Sequence, residues 1–175
     1  MTPSVSEIFA VIRQYADAYS AIQSIQETSP MIPGGDQKTG SVGEFYSFLF
    51  LSHKFPDAKL EFGNHSQKAW DIKVSFPSNR MERVQVKTVS AFSKTRIISP
   101  IHHGWTQLHV LFLNRKLQPT GFWVIDDSDF VTAGKVRSGC RCRDPEKPGT
   151  GSPAIPFGPN RIDELNAAIN SHRKK

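Results

Sequence analysis

Cysteine is scarce in this chain: Cys140 and Cys142 are the two present, with one residue between them. That spacing is poor disulfide geometry, and two thiols make no disulfide framework. His102 and His103 are conceivable partners, but the spacing matches no standard zinc pattern. The reading is two reduced thiols in an intracellular protein. Long apolar runs are also missing. No stretch reaches the roughly 18 apolar residues a membrane span requires. The first residues lack the basic and apolar regions of a secretion signal, so a cytoplasmic location is expected. There is no Walker-type glycine loop, no strained serine elbow and no internal repeat. P-loop nucleotide chemistry and serine hydrolysis therefore find no support.

Acidic residues are the minority charge, with 16 Asp and Glu against 22 Lys and Arg. The net charge of +6 and pI near 9.5 favour an acidic partner such as nucleic acid. Apolar residues make up 38% of the chain, including 12 Phe and 3 Trp, which is enough for a packed core. The length of 175 residues suits a single domain spanning 1–175.

Val5, Ile8, Phe9, Ile12, Tyr15, Ala16, Tyr19 and Ile22 recur at helical spacing, with Ser4 and Glu7 placed as a capping box. The Pro- and Gly-rich run 29–35 ends that helix. A second helix is predicted from about Gly40 to Lys54, apolar nearly all round and so well buried. Strand-like runs follow at Lys59 to Phe62, Trp70 to Phe76, Arg83 to Val89, Leu108 to Leu113 and Gly121 to Ile125. Asp126 to Val131 reads as a short turn or helix. Asn160 is placed to cap a last helix from Arg161 to about Ser171, followed by a mobile basic tail, His172 to Lys175. Trp105, Phe112, Phe122 and Trp123 flank apolar strands and read as core. Asp126, Asp127 and Asp129 read as turn formers rather than a metal cluster. The order of elements predicts an α/β or α+β sheet with flanking helices.

The chemistry concentrates in one predicted hairpin, Asp71 to Phe76 and Arg83 to Thr88, punctuated by Pro77-Ser78-Asn79. Side chains alternate along a strand, so Val84 and Val86 share one face and Gln85 and Lys87 the other. Ile72, Val74 and Phe76 lie opposite to Asp71. Pairing the apolar faces brings Asp71 close to Gln85 and Lys87. A carboxylate binds a hard divalent cation, an amide oxygen adds a neutral ligand, and a lysine neutralises charge at a scissile phosphate. Glu44 lies on the apolar second helix, where an uncompensated carboxylate costs on the order of several kcal/mol. A cation would compensate it.

Gly43-Glu44 in a helix, Asp71 at a strand start and Gln85-Val86-Lys87 in the next strand resemble the PD-(D/E)XK nuclease superfamily. The likeness covers residues 40 to 126, about half the chain. Fourteen residues separate Asp71 from Gln85, a spacing the superfamily tolerates. The lead-in Ser66-Gln67-Lys68-Ala69-Trp70 is also similar to that of restriction-endonuclease-like proteins. Trp70 stands where the family has proline, and Gln85 where it has an acid, which makes this a QXK variant. The resemblance implies a restriction-endonuclease-like core in the order αβββαβ, a central mixed sheet flanked by helices. Residues 1–39 would supply an N-terminal helix and loop, 40–126 the catalytic core, and 137–175 a basic loop and C-terminal helix. Glu44, Asp71, Gln85 and Lys87 would be catalytic. Glu44, Asp71, Gln85 and the Val86 backbone carbonyl would hold Mg²⁺, with Mn²⁺ able to substitute. Gln85→Glu would restore the family acid and should retain or strengthen metal binding.

The implied activity is Mg²⁺-dependent hydrolysis of double-stranded DNA, of the type II restriction class, by a homodimer that cuts both strands. The alternatives are a catalytically weak or inactive DNA-binding member of the same fold, or a repair, junction or homing nuclease. Lys94, Arg96, His102, His103, Arg137, Arg141 and Arg143 are the candidate DNA contacts.

Overall fold

The computed structural model describes residues 3–28, 39–63, 69–126, 141–142, 144–146 and 158–173. Helix α1 covers Val5–Thr28 and α2 covers Thr39–Lys54. Strands β1 (Lys59–Phe62), β2 (Ile72–Ser75), β3 (Met81–Ser90), β4 (Gln107–Leu113) and β5 (Pro119–Asp126) follow, and helix α3 spans Ile162–Arg173. The strands form one five-stranded sheet in the order β1-β2-β3-β4-β5. Among the described strands, β3 and β4 pair in parallel and the other neighbours antiparallel, so the sheet is mixed. The predicted α/β class, a mixed sheet flanked by helices, is the observed architecture.

Local sequence explains most element boundaries. The Ser4 hydroxyl accepts the Glu7 N–H at 3.2 Å, and the Glu7 carboxylate accepts the Ser4 N–H at 2.7 Å, which caps α1 as predicted. Asn79 takes a left-handed φ of 61° in the β2–β3 turn, a conformation asparagine tolerates. Asn160 Oδ1 accepts the Ile162 N–H at 3.2 Å and also the Phe122 N–H at 2.9 Å, so one residue caps α3 and fastens it to β5.

Each face of the sheet has its own core. On one face Ile72, Val74, Val84, Val86, Leu111 and Phe122 pack against Val42, Tyr46, Leu49 and Phe50 of α2 and Leu165, Ala168 and Ile169 of α3. On the other, Val89, Leu108, Val110, Phe112, Trp123 and Ile125 are covered by Ile98, Trp105 and Cys142. Burying each such large side chain contributes about 1.5–3 kcal/mol. Trp105, Phe112, Phe122 and Trp123 are core, as expected.

Two expectations are corrected. The αβββαβ order calls for a helix between β3 and β4, yet residues 91–106 contain none. That segment carries Ser93, Ser99, Pro100 and Gly104, the last at φ 106°, and no apolar stripe of helical period. It crosses the sheet as irregular chain and buries Ile98 and Trp105 instead. The C-terminal tail also differs. His172 and Arg173 belong to α3, with His172 Nε2 2.9 Å from Ser52 Oγ and the Arg173 guanidinium 4.4 Å from the Phe9 ring centre. The turn or helix expected over 126–131 and the loop over 29–35 fall, beyond Asp126, outside the described residues.

Candidate active site

Strand β3 is shared unequally by its neighbours. Its residues Met81 to Val84 pair with β2, while Val84 to Ser90 pair with β4. The two ladders overlap at Val84 alone, so the sheet forks there. The chain before β2 turns away at the fork: the Asp71 N–H still reaches the Val84 carbonyl at 2.8 Å, and the next donor along β3, the Val86 N–H, goes to the Asp71 carboxylate at 2.7 Å. In a strand, the N–H and C=O of one residue point to the same side. The Val86 carbonyl therefore faces the gap that Asp71 borders.

Alternation along β3 puts Val84 and Val86 into the core under α2 and turns Gln85 and Lys87 to the opposite face, as the sequence predicts. Asp71 and Lys87 are both partly buried and interact electrostatically. Burial pushes the Asp71 carboxyl up from its ordinary range, opposed by the Val86 N–H and by Lys87. Burial likewise pushes the Lys87 ammonium down, opposed by Asp71. Both groups are therefore held at a cost in desolvation.

Gln85 is only 1% exposed. Its Nε2 donates to the Ala69 carbonyl at 3.1 Å, and its Oε1 accepts the His102 N–H at 3.3 Å. Glu44 is half-buried on α2. The residue before it explains how α2 comes so close: a Cβ on Gly43 would overlap Thr88 Oγ1, so only glycine lets the helix rest on β3 one residue beyond Lys87.

The donor set suits a hard divalent cation in kind. It offers a carboxylate whose charge is disfavoured by burial, a backbone carbonyl on the same gap and an amide oxygen, while Glu44 lies on α2, which packs on the Val84 and Val86 face of β3. Among the described residues no group of three or more His, Cys, Asp and Glu could hold a metal. Any cation beside Asp71 would thus rely largely on neutral oxygens.

The candidate DNA contacts divide. His102 and His103 are exposed on the segment that Gln85 fastens. Lys94 is exposed, and the Arg96 guanidinium lies 5.8 Å from the Phe112 ring centre. Arg141 is brought to the same segment by a β-bridge to Ile97, with its Nε donating to the Thr95 carbonyl at 3.0 Å. Arg137 and Arg143 lie outside the described residues. Sequence reasoning missed the Ala69 carbonyl and Gly104 as parts of this region. Gly104, whose Cβ would come within 3.0 Å of that of Ala69, was the available signal.

No family model matches the chain, and no curated protein does. Among solved structures, the chain is similar to that titled as a bacterial homing endonuclease, I-Ssp6803I. The match has 12% sequence identity and a TM-score of 0.47, and covers 77% of this chain and 94% of the other.

Proposed function

We propose that this protein is a Mg²⁺-dependent endonuclease acting on double-stranded DNA, of the type II restriction class, working as a homodimer. The observation that carries the reading is the Asp71 carboxylate seated on the Val86 N–H at the sheet fork, with Lys87 beside it. Asp71, Glu44, the Gln85 oxygen and the Val86 carbonyl would hold the cation, with Mn²⁺ as a substitute. When bound, a divalent cation polarises a phosphate and makes water more acidic.

The remaining work falls to this chain. Asp71 is fixed by its bond to the backbone, so its free oxygen is aimed without further ordering. Lys87 would meet the negative charge that grows on the phosphate, and its partial burial would strengthen that interaction. His102, His103 and Lys94 are exposed on the segment between β3 and β4 and would contact the DNA backbone or bases. One site cuts one strand, so a duplex cut calls for two copies related by a two-fold axis.

The test is conversion of supercoiled plasmid to nicked and linear forms with and without Mg²⁺. Lys87→Ala should lose about 10²–10³ in rate while keeping its fold. Cleavage by that variant at the parental rate rejects the assignment.

A further inference from the structure

The amide of Gln85 joins two flanks of the candidate site, and we infer that it is a positioning residue whose role requires glutamine rather than an acid. Its consequence for DNA rests on the nuclease reading above, whereas the tie itself does not.

Gln85 sits mid-strand with almost no exposure, and each end of its amide meets a backbone group of a different segment. One end donates to Ala69, two residues before Asp71, and the other accepts from His102, seventeen residues further along the chain. An amide offers both a donor and an acceptor, whereas an ionised carboxylate only accepts. Glutamate at this position would set a carboxylate oxygen against the Ala69 carbonyl, leaving two buried acceptors without a proton between them.

The same two flanks meet independently of Gln85. Gly104 packs on Ala69 so closely that a Cβ would come within 3.0 Å. Thr106 donates its N–H to the Arg83 carbonyl at 2.8 Å and accepts the Arg83 N–H on its hydroxyl at 2.9 Å. The crossing segment is thus laced along β3, with Gln85 as the interior knot. His102 and His103, exposed on that segment, are thereby held at a set distance from Asp71. The Gln85 nitrogen cannot be exchanged for oxygen without losing the tie.

The experiment starts with metal-free parental protein. Amide hydrogen exchange read by NMR should show the His102 N–H exchanging at least about tenfold more slowly than that of His103. Gln85→Glu and the nearly isosteric Gln85→Met should both remove that protection while the β4 and β5 amides stay protected. With Ca²⁺ in place of Mg²⁺, both variants should bind duplex DNA about tenfold more weakly, the loss expected when one buried hydrogen-bonded tie is broken. In Mg²⁺ their KM should rise more than kcat falls. Equal exchange at His102 and His103 in the parent overturns the tie. So does a Gln85→Glu variant that binds DNA like the parent and works at lower Mg²⁺. If the parent itself neither binds nor cuts DNA, the nuclease reading fails, and the exchange measurements alone decide the tie. Should Gln85→Glu not fold, Gln85→Met and the parental comparison carry the decision.

Discussion

Asp71 and His109 are both disfavoured in their charged forms, with opposite consequences for stability against pH. The folded Asp71 carboxyl titrates above its unfolded value, so its ionisation works against folding, and the penalty grows as pH rises through the folded pKa. Asp71→Asn keeps an oxygen for the Val86 N–H and removes the charge. We expect it to melt at or above the parental temperature without metal, and to lose both cleavage and any stabilisation by Mg²⁺; a clearly lower melting temperature would count against the buried carboxylate. His109 is pushed down to about 3 by burial, with Lys54 and Arg161 adding repulsion. Its imidazole sits edge-on between Phe50 and Phe122, and its Nε2 lies 3.0 Å from Gln107 Oε1. A lowered folded pKa means the stability is present above the unfolded value of about 6.5 and is lost as pH falls towards 3. The loss reaches at most about 1.4 kcal/mol per pH unit from this group. Urea titrations at pH 7.5 and 5 should show the decline, and His109→Phe should flatten it.

At the scale of elements, the close seat of α2 on β3 is set by one missing side chain. Gly43→Ala would ordinarily strengthen a helix by about 1 kcal/mol. Here the added methyl meets Thr88, so a net loss of about 1–3 kcal/mol is expected from overpacking. Adding Thr88→Ala should recover part of it, and additive losses in the double variant would disprove the contact. The hairpin that holds Asp71, Gln85 and Lys87 was legible because a two-residue alternation of Ile72, Val74, Val84 and Val86 is a direct image of a two-faced strand. The crossing segment was not legible in the same way. A family layout suggested a helix there, while the serines, Pro100 and Gly104 argued locally for irregular chain, and the local chemistry decided. Gln85 was readable as facing the site but not as tied to His102, because a bond between β3 and an irregular segment leaves no periodic trace.

For the whole molecule, the excess of six positive charges makes any DNA complex sensitive to ionic strength. Affinity for duplex DNA should fall steeply and log-linearly from low to physiological salt; a flat response would mean that the basic surface does not meet phosphate. Among the described residues no helix is long and apolar enough to cross a membrane. The fork in the sheet also bears on how the protein assembles. The β2–β3 hairpin closes through the five residues 76–80, and the Asp71–Val86 bond spans fifteen residues. The parallel pairing of β3 with β4 must wait for a longer loop to close, and pairings of that kind form slowly. Loop closure thus favours the carboxylate arm of the site, in the hairpin, over the His102 arm, in the crossover. A chain emerging from the ribosome would expose the residues of the first before those of the second.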